Sequence, residues 1–255
     1  MSDAGLTVEV AGPVATVVIS NPTRRNAMTP DMWRQLPPLL DRLEADPAVR
    51  VLVLTGAGET FCAGADLGDV DEVLAAGDQS VAVVAEERLA AFAKPTVAAV
   101  RGACVGGGCQ LAVACDLRIA AADARFGVPP ARLGVVYQTP ATRRLAALVG
   151  PATAKYLIFT GELVDAERAA RFGLVDEVSP ADRLADRIAG LTGTIASRSQ
   201  LSIVAAKEIV DGRADDDRVA RWHREVLASG EAREGVAAFH ERRPARFTWT
   251  IPPTG

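Results

Sequence analysis

Apolar residues fall along this chain in two rhythms. Short β-branched runs at Val14–Ser20, 51–55, Thr96–Val100, Leu117–Ala121 and 174–178 predict strands. Between them, Pro30–Ala45, 81–92, Gly107–Ala114, 141–148 and 165–172 repeat apolar positions at helical spacing. Asp165 opens the last of these and Gly173 closes it, a helix start and stop signal. Strands alternating with helices predict an α/β core rather than a sandwich or a bundle. After Pro180 the strand signals cease, and 182–210, Asp216–Ser229 and 231–242 predict helices. We therefore expect a core over residues 1–195 and a helical C-terminal region over 196–255. No linker composition marks that boundary, and no internal repeat or low-complexity tract interrupts the pattern.

Composition narrows the function classes. With 255 residues, 49% of them hydrophobic, the chain can bury a full core. Its net charge of −4 argues against a general polyanion binder, so nucleic acid is not an expected partner. The arginine-rich tail, from Arg213 to Arg246, suits a solvated helix face, a subunit contact or a site for one phosphorylated small molecule. Cys62, Cys104, Cys109 and Cys115 form no C-x-x-C pair and have apolar or glycine-rich neighbours, which fits free thiols in a reducing compartment. The two histidines, His223 and His240, are too few for a histidine-rich metal site, and no metal is expected. Residues 1–12 lack the basic-then-apolar pattern of a signal peptide, and no apolar run reaches the ~18 residues of a membrane span. A cytoplasmic protein without membrane attachment is the expectation.

The candidate chemistry lies in two small-residue bends, Phe61-Cys62-Ala63-Gly64-Ala65-Asp66 and Gly106-Gly107-Gly108-Cys109-Gln110. Each follows a β-branched run, and glycine or alanine there lets main-chain N–H groups approach a ligand atom closely. Two N–H groups converging on one carbonyl oxygen make an oxyanion hole, and a helix N-terminus behind one of them adds its dipole. Other readings fail on their own spacing. Gly56-Ala57-Gly58 follows a strand, but the third glycine of a dinucleotide fingerprint would be Phe61. No Gly-Lys-Ser/Thr completes a phosphate loop, and no nucleophile-elbow serine serves either histidine.

In these residues the chain resembles the crotonase superfamily, the enoyl-CoA hydratase/isomerase group. The likeness runs through Asn21-Pro22-Thr23-Arg24-Arg25-Asn26-Ala27-Met28, the two bends, Lys94-Pro95-Thr96-Val97-Ala98-Ala99-Val100-Arg101-Gly102, Cys115-Asp116 and the tail 239–247. The resemblance implies a spiral of ββα units followed by a helical region, assembled as a homotrimer or a dimer of trimers. It implies that the N–H groups of Ala65 and Gly107 hold the thioester oxygen of an acyl-CoA. CoA enters as part of that substrate, and no separate cofactor is expected. Arg24, Arg25, Ala27 and Ala63 would lie along the CoA, and Phe239 with Arg242 or Arg243 would reach the CoA of a neighbouring subunit.

The chain departs from the hydratases of that family at both acid/base positions. The first glutamate of the hydratases follows the glycine turn, where this chain has Gln110; the second falls at Pro130. An amide does not titrate usefully, and proline offers nothing to a proton. Residues 126–136 contain no acid, so a one-residue slip restores nothing. Decarboxylation of a malonyl-CoA-type thioester needs no base, because departing CO₂ leaves its electron pair behind. The segment Leu133-Gly134-Val135-Val136-Tyr137 resembles the one that brings a tyrosine to the acyl pocket of family decarboxylases, although those carry a histidine where this chain has Ala65. Tyr137 would orient a carboxylate or protonate the enolate, and Gln110 would bond a water or an acyl group. Asp69, Asp71 and Glu72 are candidates for a substitute base in an isomerase or weak hydratase. An acyl-CoA binding protein without turnover is the reading from outside enzymology, with a protein–protein scaffold behind it.

Overall fold

A computed structural model describes residues 4–66 and 77–252. Five parallel strands and one antiparallel edge strand form the main sheet, in the order β1 (Gly5–Ala11), β2 (Val14–Ser20), β3 (Val51–Gly56), β4 (Thr96–Val100), β6 (Leu117–Ala121) and β9 (Glu177–Ser179). A second sheet holds β5 (Ala103–Val105), β7 (Arg125–Gly127) and β8 (Val164–Asp165). From β4 to β9 the chain hands strands back and forth between the two sheets, which winds it into a spiral of ββα units. β4 is buried along its whole length and β3 along its first four residues, as expected of strands covered on both faces.

Helices pack around this spiral. α1 (Pro30–Ala45) is capped by Thr29, whose hydroxyl accepts the Met32 N–H, and it buries Met32, Trp33, Leu36, Leu40 and Leu43 along one stripe. α2 (Val81–Ala90) lies on α1, and α3 (Gly107–Ala114) buries nearly every residue in the centre. α4 (Pro130–Leu133), α5 (Thr139–Val149) and α6 (Pro151–Thr160) follow, then α7 (Ala166–Arg171), capped by Asp165. The chain ends in α8 (Leu184–Ala196), α9 (Gln200–Val210), α10 (Asp216–Ser229) and α11 (Glu231–Glu241). Each fully buried aliphatic or aromatic side chain contributes about 1.5–3 kcal/mol, so the large cluster spanning α1 to β9 dominates the stability.

Two sequence expectations need correction. The strand expected at 174–178 begins only at Glu177, because Leu174 and Val175 donate their N–H groups to Ala169 O and close the turn after α7. The helix expected over 182–210 is two helices. The first ends at Ala196, with Ser197 at its C-cap, and Ser199 caps the second, its hydroxyl accepting the Ser202 N–H.

The family-like motifs also do structural work. Lys94 Nζ donates to Leu43 O (3.2 Å) and Asp46 O (2.6 Å), covering carbonyls at the end of α1, and burial lowers its pKa to about 8. Asp116 Oδ2 accepts from Thr96 N (2.8 Å) and Lys207 Nζ (2.7 Å), tying β4 to α9. No described helix is long and apolar enough to cross a membrane.

Candidate active site

β3 and β4 are parallel, so both send their chain out at the same end of the sheet. β3 continues through the turn 57–60 into Phe61–Asp66 by way of Asn26. The Asn26 amide donates to Ala57 O (2.9 Å) and Thr60 O (2.6 Å), while its oxygen accepts the Asn21 N–H (3.0 Å). Cys62 N then donates to Ala103 O and Val105 N to Cys62 O, at 2.9 and 3.0 Å, which docks the segment on β5. On its other edge Ala63 N donates to Arg25 O (3.1 Å), Met28 N to Gly64 O (2.8 Å) and Asp66 N to Met28 O (2.9 Å).

That ladder decides where Ala65 points. Met28 bonds the residues on either side of Ala65, so the N–H of Ala65 itself turns the other way. It has no acceptor among the described residues. The Gly107 N–H is the first of α3, so it has no partner inside the helix and none among the described residues outside it. The two positions face each other closely: a Cβ on Gly107 would sit 3.3 Å from Ala65 N, 3.1 Å from Trp33 Cζ2 and 3.5 Å from Gln110 Oε1. Gly108 has a different reason to be glycine. A Cβ there would run into the Cys62 carbonyl, so only glycine lets α3 start this close to the first bend.

Both N–H groups lie in the wall of a cavity of about 380 Å³. Its far wall is the stretch from Pro129 to Gln138, with Pro130 opening α4. Tyr137 OH donates to Gly106 O (3.1 Å), and Gln110 Nε2 donates to Gln138 Oε1 (2.7 Å), so the two polar side chains foreseen from the sequence do share the cavity. Burial, with Cys109 and Glu86 nearby, raises the Tyr137 pKa well above the phenol range. Arg132 belongs to this wall and has no carboxylate partner among the described residues. No Asp, Glu or His lines the cavity among those residues. Asp69, Asp71 and Glu72 lie outside the described residues.

Three of the four thiols are poor nucleophiles. Burial pushes Cys62 and Cys115 up to about 12 and Cys104 well above its usual range, and all four cysteines are buried and free. Among the described residues no cluster of His, Cys, Asp and Glu is arranged to hold a metal ion.

The other expected residues divide. Arg24 and Arg25 stand exposed on the turn beside Ala63, Arg25 in a left-handed conformation (φ +50°), and Ala27 is buried under them. Phe239, Arg242 and Arg243 sit at the end of α11 and do not line the cavity. Phe239 is 80% exposed, and Arg243 is held by Glu234 and Glu241, which raises its pKa further. Sequence reasoning missed Trp33, Arg132 and Gln138, and it missed Glu86 behind Tyr137. Glu86 alone left a signal: it interrupts the apolar stripe Ala82, Ala85, Leu89 at a position facing inward.

With this geometry in place, the comparisons with known proteins are decisive for the class. A family model described as enoyl-CoA hydratase/isomerase matches residues 9–250. A crotonyl-CoA hydratase of Syntrophomonas wolfei is 33% identical over 97% of this chain and 99% of the relative. A short-chain-enoyl-CoA hydratase of Clostridium acetobutylicum is 32% identical over 92% of this chain and 94% of the relative. A crystal structure of an enoyl-CoA hydratase/isomerase family member superposes with a TM-score of 0.93 at 39% identity, covering 98% of this chain and all of the other. The chain belongs to the enoyl-CoA hydratase/isomerase family, the crotonase superfamily, and is an acyl-CoA enzyme of that family.

Proposed function

We propose that this enzyme polarises the thioester carbonyl of an acyl-CoA with the N–H groups of Ala65 and Gly107, and that it decarboxylates a malonyl-CoA-type thioester rather than hydrating an enoyl one. One observation carries the reading: two unengaged main-chain donors face a cavity whose described wall has no carboxylate and no imidazole. Such donors, fixed in place before reaction, are worth about 3–4 kcal/mol each to a developing oxyanion. In the reaction the bond between the α-carbon and the carboxyl group breaks, CO₂ leaves, and the electron pair enters the enolate. The α-carbon then takes a proton from Tyr137. Arg132, a cation without a carboxylate partner among the described residues, supports an acyl group that itself ends in a carboxylate.

The remaining assignments rest on the family resemblance. Arg24 and Arg25 meet the CoA phosphates where the chain passes Ala27 and Ala63, and Phe239 with Arg242 or Arg243 serves a neighbouring subunit in a trimer or dimer of trimers. Buried free thiols fit a reducing compartment such as the cytoplasm. The second reading, an isomerase or weak hydratase, is favoured by the names of the relatives.

Incubation with methylmalonyl-CoA and with crotonyl-CoA, followed by mass and absorbance, separates the two. CO₂ loss from the first with the second untouched is the expected result. Rapid hydration of crotonyl-CoA without decarboxylation would overturn it. Tight acyl-CoA binding with no product from a wider thioester panel would leave a binding protein.

A further inference from the structure

Glu86 is a buried acid that the reading above leaves without a task. It is 1% exposed and sits on α2 one helical turn beyond Ala82, which lines the cavity. One carboxylate oxygen is paired with Arg144 on α5, while Oε2 is buried and has no hydrogen-bond partner among the described residues. A buried carboxylate oxygen without a donor is costly enough to need a reason. Its charge bears on Tyr137, the residue on the cavity wall that carries the exchangeable proton.

The surroundings of Glu86 leave its charge only partly compensated. Arg144 shares its guanidinium with Glu87. On the α1 side Asp41 and Glu44 are occupied by Arg88. From α3 comes the Cys109 thiol, near Tyr137. Arg143, also on α5, bears on Asp78. Burial outweighs Arg144 and raises the carboxyl to about 7, so it holds a proton over part of the physiological range.

We propose that Glu86 is a positioning residue that stores the proton used to recharge Tyr137. Tyr137 loses its O–H proton to the α-carbon, the Glu86 carboxyl gives its own to the phenolate across a bridging water, and the carboxylate left beside Arg144 recovers a proton from solvent. Atoms and charge balance over the cycle with no added reactant. The inference rests on the enolate chemistry proposed above.

Glu86→Gln, with Glu86→Asp beside it, tests the idea in the full-length protein. A proton store must be filled, so kcat of the wild type should fall as pH rises through about 7. In E86Q that limb should vanish and kcat should drop about tenfold with KM unchanged, less than the ~10²-fold that loss of a direct acid–base group costs. E86D should restore the limb. An unchanged pH profile in E86Q, or a rise in KM alone, overturns the proposal. Infrared titration gives a readout without turnover: a protonated carboxyl band that titrates near neutrality in the wild type and is absent in E86Q supports it, and no such band sinks it. Absence of turnover by the wild type on every thioester would refute the functional reading instead, and the infrared result would still decide the state of Glu86.

Discussion

The two walls of the cavity are made of different material. The near wall, Ala63–Ala65 with Gly106–Gly107, is main chain: its donors are placed by ladder bonds to Met28 and β5 and by the start of α3. The far wall, from Pro129 to Gln138, works through side chains that a substitution can exchange without touching a ladder. The near wall can therefore be common to enzymes that polarise the same carbonyl, while in the proposed reaction the far wall decides what happens to the enolate. The proposed reaction depends on that division of labour, and it can be attacked from either side.

The largest effect should come from the near wall. Gly107→Ala places a methyl group 3.3 Å from Ala65 N, in the space a thioester oxygen would need. The loss should be about 10²–10³-fold in kcat/KM, the cost of losing one oxyanion donor. Steady-state kinetics on the best thioester substrate checks it. Near-normal turnover would mean that the carbonyl sits elsewhere.

Next in size is an exchange on the acid/base positions. Gln110→Glu together with Pro130→Glu puts carboxyl groups at the two positions where family hydratases are expected to carry them. Position 130 opens a helix, and an acid there suits the helix dipole. Crotonyl-CoA hydration should rise about 10²-fold in the double variant, the lower end of what positioned acid–base groups contribute. No gain would show that the far wall differs from a hydratase by more than its missing acids.

How the near wall is held can be tested through stability. Asn26→Ala removes two donor bonds to the carbonyls of Ala57 and Thr60 and the acceptor for Asn21 N. Leaving those buried groups unsatisfied should cost about 2 kcal/mol, a fall in Tm of about 4–8 °C by thermal melting. Activity should fall with it, because the turn that delivers Phe61–Asp66 loosens. A lower Tm with unaltered kcat would separate the turn from the donors.

The same contrast explains what the sequence made legible. Strands buried on both faces, such as β4, and helices with one apolar stripe, such as α1, follow from local periodicity, and so do the glycine bends, because close main-chain approach demands small residues. The far wall depended on contacts that periodicity does not encode. Gln138 lies 28 residues from Gln110 and meets it only through the fold. Arg132 is one arginine among many until α4 sets it on a cavity. The short strands β5, β7 and β8, two or three residues each, are too brief to announce themselves. Trp33 lies on the buried stripe of α1, and only the tertiary fold brings its ring against Gly107.

The smallest expected effect concerns the rim of the near wall. Arg24 and Arg25 are exposed, so each contact with a CoA phosphate is worth on the order of 1 kcal/mol or less. Arg24→Ala should raise KM for an acyl-CoA about 3–5-fold with kcat unchanged, and the double variant with Arg25→Ala roughly tenfold. The difference should shrink as salt is added, because exposed charges are screened beyond ~10 Å at 0.1 M ionic strength. It should disappear with an acyl-pantetheine, which carries the thioester but not the nucleotide phosphates. Arg25 has a second role that this control isolates: it occupies the left-handed turn (φ +50°) whose carbonyl accepts the Ala63 N–H and so helps set the path of the bend. If the arginine variants slow turnover of the acyl-pantetheine as well, the turn is acting on the position of Ala65 rather than on phosphate, and the rim belongs to the catalytic wall.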